Sequence, residues 1–245
     1  MAYVIIGASG GLGRALADRL AADGHRLVLV ARDTEALAAL AEMLRDRHGI
    51  EAETVAADAS AGTEYLERVA AAAHTHGGID GLLLPIGLAL RDGLGTSPAA
   101  LRELADTNFL AVAEAVTVLW PDLVEGQATV VGFGSITGTR GRTRNFVYGA
   151  MKRALQSYFE SLRLAARGTP VTVQFWVLGF LDSGVMAMER TPLPKGDPER
   201  LADRVVKALG RDQGPAYFPR WWRWIALILR LMPWPVYARA AGRAE

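Results

Sequence analysis

A glycine-rich turn directly after the first apolar run limits the possible folds of this chain more than any other feature. Residues 3–6 are apolar and rich in β-formers, which predicts a short buried strand. Gly7, Gly11 and Gly13 follow, and residues 14–22 then have the pattern of a helix. A strand, a glycine turn and a helix N-terminus in this order let bare backbone approach a phosphate, and the helix dipole favours the anion. The spacing GxxxGxG therefore predicts a dinucleotide-binding unit, with a purely structural turn as the alternative.

The rest of the chain alternates between predicted strands and helices. Further strands are predicted at 26–31, 51–56, 81–84, 128–133, 171–178 and 216–219. Helices are predicted at 34–47, 62–76, 98–120 and around Tyr148. Repeated alternation of this kind indicates an α/β fold, a Rossmann-type, doubly wound, mostly parallel seven-stranded sheet with helices on both faces. We expect one such domain at 1–219, a mobile loop over the site at 179–197, and a separate C-terminal tail at 220–245.

The composition excludes several classes of function. The 245 residues contain no cysteine, which rules out disulfides, thiol catalysis and zinc–thiolate sites, and no metal site is predicted. The formal net charge is +1, so the chain as a whole has no nucleic-acid-binding footprint. A glycine turn after only six residues leaves no room for a signal peptide, and we expect the domain to act in the cytoplasm.

The end of the second predicted strand indicates which dinucleotide would bind. Arg32 and Asp33 follow that strand. An acidic residue at this position holds the ribose hydroxyls, whereas an arginine suits a 2′-phosphate. Arg32, helped by Arg14 after the glycine turn, favours NADP(H) over NAD(H), and Asp33 can instead cap the next helix. Asp58, after the third strand, is placed either to reach an adenine edge or to cap a helix.

Tyr148 and Lys152 form the candidate catalytic pair. Their spacing puts them one turn apart on one helix face. A phenol has a reference pKa near ~10, and a lysine cation beside it favours the phenolate and lowers that pKa. Such a pair can give a proton to a carbonyl oxygen or take one from an alcohol. Ser135 follows the fifth strand, at the edge where parallel sheets bind ligands. Asn108 lies in an apolar helix, where it is either a satisfied core amide or a residue that bends the helix and holds a water.

Together these residues resemble the motifs of the short-chain dehydrogenase/reductase family, over about residues 3–183. The resemblance implies an oxidoreductase whose catalytic tetrad is Asn108, Ser135, Tyr148 and Lys152. It implies that Tyr148 is the general acid of reduction, that Ser135 donates to the substrate carbonyl, and that Lys152 holds the nicotinamide ribose. The cofactor contacts that it implies are Gly7, Ser9, Gly11, Leu12, Gly13, Arg14, Arg32, Asp58, Gly87, Tyr148, Lys152, Gly179, Leu181 and Ser183.

Two segments depart from the family pattern. The family usually has Asn-Asn-Ala-Gly after the fourth strand, and this chain has Leu-Pro-Ile-Gly at 84–87, so we expect altered packing on the adenine side. The family usually has Pro-Gly after the sixth strand, where this chain has Leu-Gly at 178–179. Ser183 stands where a threonine normally meets the nicotinamide carboxamide, so that contact can persist. Neither departure touches the tetrad.

A narrower resemblance concerns the substrate. Residues 142–149 and the aromatic, apolar, Met-Pro tail are similar to those of the decaprenylphosphoryl-2-keto-pentose reductases. This similarity implies a polyprenyl-phosphate keto-sugar as substrate, an arabinose-type product for cell wall biosynthesis, and a partner oxidase. One or more of Arg140, Arg142 and Arg144 are predicted to hold a phosphate or another anionic group of the substrate, with a solvated loop as the alternative. Reduction of a 3-ketosphinganine or 3-ketoacyl lipid remains an alternative, as does a non-catalytic NADP(H)-binding protein.

The tail itself predicts a surface helix. Residues 221–232 are apolar nearly all round, with Arg223 and Arg230 on one side. At ~1.5 Å per residue this helix is too short to cross a ~30 Å hydrocarbon core. Tryptophan and arginine are typical of a helix lying in the membrane interface, and also of subunit contacts. We therefore predict peripheral association with the inner face of the cell membrane, and the family resemblance implies a homo-oligomer.

Overall fold

A seven-stranded parallel sheet forms the centre of the protein. The computed structural model describes residues 1–89, 92–182 and 193–241. Strands β1 to β7 are Ala2–Ile6, Arg26–Ala31, Ala52–Ala56, Ile79–Leu84, Thr129–Ser135, Thr172–Leu178 and Gln213–Phe218. Their order is β3-β2-β1-β4-β5-β6-β7, and every neighbouring pair is parallel. This confirms the predicted Rossmann-type sheet.

Helices cover both faces of the sheet. Helices α1 to α9 are Gly11–Ala22, Thr34–His48, Glu64–His74, Pro98–Ala105, Ala111–Glu125, Phe146–Ala165, Pro198–Lys207, Trp222–Leu231 and Trp234–Ala241. One core cluster joins the sheet to α1, α2 and α7, and a second joins the other face to α3, α5 and α6. Because both faces are covered, the central strands are apolar almost throughout, as residues 27–30 and 82–84 show.

The structure adds two helices that the sequence did not predict. Helix α7 begins after Asp197, whose carboxylate accepts a hydrogen bond from the Glu199 amide at 2.9 Å, and Pro198 occupies its first turn. Leu201 and Val205, one turn apart on its inner face, are fully buried. Helix α9 follows Pro233 and lies beyond the predicted tail helix at 221–232. The last strand is also longer than the predicted 216–219.

The predicted helix 98–120 is interrupted by a π-helical turn. Helices α4 and α5 flank this turn, Asp106–Leu110, without a break in the chain. Taken together, Pro98–Glu125 is long and apolar enough to cross a membrane, and no other helix of the described residues meets those two criteria. Leu104, Val112 and Leu119 on its inner face are nevertheless buried against the domain, so we assign it to the core.

The tail packs on the domain and shares its interior. Trp222 and Ala226, on the inner face of α8, form a buried cluster with Ile136, which follows β5. Beyond α8, the hydroxyl of Tyr237 donates to the Gly141 carbonyl. The predicted boundary at 219/220 therefore divides elements that are in contact.

All strands end at the same edge of the sheet, and this edge positions the site. Ile6 at the end of β1 pairs with Val30 of β2, and β1 lies next to β4, where the strand order reverses. Ligands of open parallel sheets bind in the crevice at such a reversal. The glycine turn, Arg32 and Ser135 all follow or end strands on this edge.

Candidate active site

The tyrosine–lysine pair lies on α6, beside the ends of β4 and β5. Nζ of Lys152 is 5.9 Å from the centroid of the Tyr148 ring. The same ammonium donates to the carbonyl oxygens of Ile86 and Phe133, each at 3.3 Å. Lys152 is buried, so these two carbonyls replace part of its hydration. The two side chains are thus held at the junction of two strand ends.

Burial determines the protonation of both groups. It lowers the pKa of Lys152 to about 8, because removal from water disfavours the ammonium. Burial also raises the pKa of the Tyr148 phenol, and the hydrogen bond with the Ser135 hydroxyl opposes that rise. The net shift is upward, opposite to the lowered pKa that the sequence predicts. A phenol that stays protonated at neutral pH is the form that can donate a proton.

Ser135 is oriented by its neighbour two residues on. Its Oγ accepts hydrogen bonds from the Thr137 hydroxyl at 2.8 Å and from the Thr137 amide at 3.3 Å. A serine hydroxyl has one hydrogen and can accept twice. With both acceptor positions used, the O–H remains available to donate to Tyr148 or to a ligand at the rim.

The π-helical turn positions Asn108. This side chain is fully buried, and its Nδ2 donates to the carbonyls of Leu88 at 2.9 Å and Leu104 at 3.0 Å. Its Oδ1 accepts from the Leu88 amide at 3.2 Å. Both polar atoms of the amide are therefore paired, and these three bonds fix its orientation. A π turn at this residue fits the predicted bend, and such turns often mark functional sites.

The unusual turn at 84–87 keeps the backbone close to these side chains. A Cβ added to Gly87 would lie 3.5 Å from both Asn108 Oδ1 and Lys152 Nζ. The Ile86 carbonyl of the same turn accepts from Lys152. The turn thus joins Asn108 and Lys152 through backbone atoms, although the Asn-Asn-Ala part of the family pattern is absent.

Asp92 is a functional candidate that the sequence analysis missed. Its buried carboxylate accepts hydrogen bonds from the amides of Val147 at 2.7 Å and Tyr148 at 3.1 Å, and its carbonyl accepts from the Asn145 amide at 2.8 Å. These amides belong to the first turn of α6, which has no cap from its own N-cap residue, Asn145. Asp92 therefore caps the helix that carries Tyr148. Because the donors lie 55 and 56 residues away, no local sequence pattern could have indicated this role.

A cavity of about 210 Å³ runs along the crevice beside the glycine turn. Of the predicted cofactor contacts, its lining includes Gly7, Ser9, Arg32, Asp58 and Gly87. The Arg32 guanidinium is largely exposed and lies 3.7 Å from the Asp58 carboxylate. The cavity thus connects the glycine turn, at one end, with the backbone beside Asn108 and Lys152.

The two aspartates near this cavity have separate partners. Asp33 caps α2, because its carboxylate accepts from the Ala36 amide at 2.9 Å. Asp58 accepts from the Ser60 hydroxyl at 2.7 Å and amide at 3.0 Å. The Ser60 hydroxyl, and to a lesser degree the Ser60 amide and Arg32, hold the pKa of Asp58 below its usual value. Asp33 is therefore engaged in its own helix, which leaves Arg32 as the charged side chain of this strand end that faces the cavity.

The remaining residues of the glycine turn stabilise its conformation and its packing on α1 and the core. A Cβ on Gly13 would lie 2.2 Å from the Gly7 carbonyl, so only glycine lets α1 pack this closely on the turn. Gly11 begins α1, and Leu12 is buried in the core. The Arg14 guanidinium donates to the Ser9 carbonyl at 3.0 Å, which braces the turn.

Three predicted cofactor contacts follow β6. A Cβ on Gly179 would lie 1.7 Å from Nε1 of Trp222, so the tail helix α8 itself requires a glycine here. Leu181 forms a parallel bridge with Gly196, which joins the two ends of the predicted loop. Ser183 lies outside the described residues.

The three arginines predicted to hold a phosphate are in different environments. Arg140 binds the tail instead, since it donates to the Leu229 carbonyl at 2.6 Å and to the Met232 carbonyl, and its guanidinium lies 4.2 Å from the Tyr237 ring centroid. Arg142 and Arg144 are exposed between Ser135 and Tyr148 in the chain. The structure therefore assigns Arg140 to anchoring the tail and leaves the other two as candidates.

Comparison with known proteins places the chain in a family. The model for the short chain dehydrogenase family matches residues 2–193. An uncharacterized oxidoreductase of Myxococcus xanthus is 30% identical, over 98% of this chain and 96% of its own. The ketoacyl reductase HetN of a Nostoc species is 28% identical over 84% of this chain and 74% of its own. The solved structure of a short-chain dehydrogenase from Sphingobium yanoikuyae in complex with NADPH superposes with a TM-score of 0.81, at 26% identity, over 100% and 96% of the two chains.

Proposed function

The chain belongs to the short-chain dehydrogenase family, and from that premise we propose that it is an NADP(H)-dependent reductase of a ketone on a lipid-linked substrate. The observation that supports this most is the position of Tyr148, Lys152 and the paired Asn108 at one end of the crevice whose other end carries Arg32. A proton donor and a dinucleotide cleft are the two requirements of carbonyl reduction by a nicotinamide.

The residues of the cleft fit NADP(H). NADPH, when bound, supplies the hydride. Gly7 has φ +99° and lies at a bare backbone turn, as close approach to a pyrophosphate requires. Arg32 offers an exposed guanidinium for the 2′-phosphate, and Asp33, engaged as a helix cap, does not compete with it. The Sphingobium yanoikuyae relative was solved with NADPH, which supports the same choice here.

The chain's own residues would carry the proton chemistry. Tyr148, held protonated by burial, donates its proton to the oxygen of the ketone as negative charge develops there. Ser135 donates a hydrogen bond to the same oxygen, and the buried Lys152 ammonium adds positive charge beside the phenol. Asn108 fixes the backbone at Leu88, next to the turn that accepts from Lys152. These donors are in place beforehand, which is the condition for stabilising a developing alkoxide.

An amphiphilic substrate suits the rim around Ser135. Ile136, the next residue, packs with Trp222 and Ala226 of α8, so an apolar helix forms one side of the catalytic edge. The outer face of the same helix exposes Trp224 and Leu231, at 56% and 73% of their full area. A helix that is apolar on both faces and adjoins the site could lie in the membrane interface and admit a lipid substrate from it. The most specific form of the proposal is a keto-sugar on a polyprenyl phosphate, supplied by an oxidase, with Arg142 and Arg144 near its phosphate.

A neutral lipid ketone, of the 3-ketoacyl or 3-ketosphinganine type, is the second candidate. One observation favours it: Arg140 binds the tail, so the predicted arginine loop offers two exposed guanidinium groups, those of Arg142 and Arg144, instead of three. The ketoacyl reductase HetN is a relative of known class. The third hypothesis is a protein that binds NADP(H) without turnover. It requires that the residues proposed for catalysis have no catalytic role.

One assay separates these hypotheses. Oxidation of NADPH and of NADH is followed with a polyprenyl-phosphate keto-sugar, a 3-ketosphinganine and a short 3-ketoacyl thioester. Turnover of the keto-sugar with NADPH, and a raised KM in Arg142→Ala and Arg144→Ala, is the expected result. Turnover of only the neutral ketones would overturn the keto-sugar as substrate and support the second candidate, a neutral lipid ketone. NADPH binding with no turnover, and no difference between wild type and Tyr148→Phe, overturns the enzymatic proposal.

We propose in addition that the chain forms a homo-oligomer through the outer faces of α5 and α6. Val118 and Leu164, on these two helices, are exposed at 42% and 61%. Large apolar side chains on neighbouring helix surfaces are typical of subunit contacts. Sedimentation of the full chain in a mild detergent, which keeps the tail from associating, would show a single monomeric species if this is wrong.

A further inference from the structure

A strongly basic cavity lies at the edge of the sheet farthest from β3. It has a volume of about 500 Å³ and is bounded by the end of α7, the edge strand β7 and the start of α8. Its lining contains no acidic residue and five basic ones: Arg204, Lys207, Arg211, Arg220 and Arg223. We call it the basic cavity. The cofactor cleft, beside β1 and β2, is a different part of the molecule.

Four of these five side chains form no salt bridge within the described residues, and two of them, Arg204 and Arg220, also line a neighbouring cavity that contains Asp197, Glu199 and Asp203. Lys207 pairs with Asp203 at 2.8 Å, one turn earlier on α7. Arg204 lies over the ring of Phe218, with 5.5 Å between guanidinium and centroid, and forms no salt bridge within the described residues. Arg211, Arg220 and Arg223 likewise form no salt bridge within the described residues. Like charges gathered around one cavity repel each other, and a bound anion would relieve that repulsion.

The basic cavity continues directly into the exposed apolar face of α8. Arg223 lines the cavity and also stacks on Trp224, 4.6 Å from its ring centroid. Trp224, Leu227, Ile228 and Leu231 are all largely exposed on the outside of α8. Between residues 213 and 244 the sequence contains no aspartate or glutamate. One surface therefore combines exposed apolar side chains with arginines that form no salt bridge within the described part of the chain.

We propose that the basic cavity binds the phosphate head group of an anionic phospholipid while the outer face of α8 enters the adjoining acyl boundary. This inference rests on the membrane association included in the proposed function, and it names the class of lipid. A guanidinium is planar and pairs with phosphate oxygens through two parallel hydrogen bonds, so several arginines around a cavity suit a phosphate monoanion or diester. Anionic lipids attract basic segments at the membrane surface, and the neighbouring apolar face identifies a lipid as the source of the phosphate.

Co-sedimentation of the full-length protein with vesicles tests the inference. Vesicles of phosphatidylcholine alone are compared with vesicles of phosphatidylcholine mixed with phosphatidylglycerol. The test variant is Arg204→Gln/Arg211→Gln, which changes the basic cavity and neither α8 nor the catalytic edge. The matched control is Arg26→Gln/Arg45→Gln, which removes the same charge on β2 and α2, toward the other end of the strand order. Thermal unfolding of both variants checks that they are folded.

The expected result is that wild type prefers the anionic vesicles and that the test variant loses about 25-fold of that binding, at about 5-fold for each arginine. The control variant should stay close to wild type, because its charges lie beyond the screening length of the bound surface. Equal losses in the two variants would show general electrostatics and overturn the site. The proposal would also be overturned if the wild-type protein bound neither kind of vesicle. It would be overturned as well if calorimetry showed inorganic phosphate bound in the cavity and the protein bound no vesicles. NADPH oxidation with a soluble ketone is measured on the same samples, and it fails only if the catalytic proposal fails.

Discussion

On the cofactor side of the sheet two aspartates are fixed by neighbours in sequence, whereas on the substrate side Arg140 and Asp92 bind partners that are distant in sequence. On the cofactor side, Asp33 caps the amide three residues on, and Asp58 binds Ser60, two residues on. On the substrate side, Arg140 anchors a helix end 89 residues away, and Asp92 caps amides more than 50 residues away. The difference indicates that a change on the cofactor side should stay local, and that a change on the substrate side should reach both the tail and the catalytic helix.

The largest effect is expected for Arg32→Gln, which should separate the two sides completely. Loss of a charged donor to a phosphate costs about 1.5–3 kcal/mol, so NADPH should bind about 10- to 100-fold more weakly. NADH binding and the KM for the ketone should be unchanged, because Arg32 touches neither the nicotinamide end nor the tail. Fluorescence titration of both cofactors measures this, with the exposed Arg45→Gln as control. An equal loss for NADH would mean that Arg32 acts on the fold of the turn.

Arg140→Ala should have the next largest effect, and this effect should fall on the substrate side of the sheet. The guanidinium donates to two carbonyls at the end of α8 and lies over Tyr237 of α9, so its removal frees the tail. We expect the free energy of unfolding to fall by about 2 kcal/mol and the KM for a lipid ketone to rise, with NADPH affinity unchanged. Denaturant unfolding and steady-state kinetics check both parts. Arg142→Ala, two residues away and exposed, should leave stability as it is.

The pH dependence of ketone reduction tests Lys152, which lies between the cofactor side and the substrate side. Lys152 is bound by a carbonyl of the β4 turn and by one of β5, and burial lowers its pKa to about 8. Its ammonium is therefore present below about pH 8 and is lost as the pH rises through that value. We expect kcat/KM for ketone reduction to fall about tenfold per pH unit above that point, since the raised pKa of Tyr148 keeps the phenol protonated there. A profile that stays flat to pH 9.5 (about 1.5 units higher) would remove Lys152 from the mechanism.

Asp92→Ala should have the smallest effect, and it should alter a helix that is distant from Asp92 in the sequence. Loss of a helix cap costs about 1 kcal/mol, and the amides of Val147 and Tyr148 would be left unpaired. Because Tyr148 shifts with its helix, kcat should fall several-fold while NADPH affinity is kept. Asp92→Asn retains one acceptor oxygen and should recover most of the stability. Equal kcat values in all three proteins would show that the cap has only a structural role.

These contrasts explain how far the sequence alone could reach. The glycine turn, the option that Asp33 caps a helix and the spacing of Tyr148 and Lys152 on one helix face follow from patterns within a few residues, and the alternation of strands and helices made the parallel sheet predictable. The contact of Arg140 with the tail could not be predicted, because its partners lie on a helix end 89 residues away in the sequence. The raised pKa of Tyr148 could not be predicted either, since it reflects burial, which arises from the assembled core and not from the spacing of the pair.

Gly179 shows the same limit from the opposite direction. The family pattern interprets this glycine as a cofactor contact. In the structure its missing side chain makes room for Trp222, whose Nε1 would meet a Cβ at 1.7 Å. The indole N–H of Trp222 is buried with no hydrogen-bond partner among the described residues. The structure thus gives this glycine a packing role against α8 that no local motif indicates.

The π-helical turn at Asp106–Leu110 means that this helix contains one residue more than its length requires. Removing a single codon within the turn would let α4 and α5 join as one regular α-helix. At 3.6 residues per turn, α4 would then rotate by about 100° relative to α5. Leu104 would leave the core and Asn108 would lose its place beside Leu88. The extra residue is therefore a phase adjustment between two packed surfaces, and a one-residue deletion here should be far more damaging than any single substitution of the exposed side chains around it.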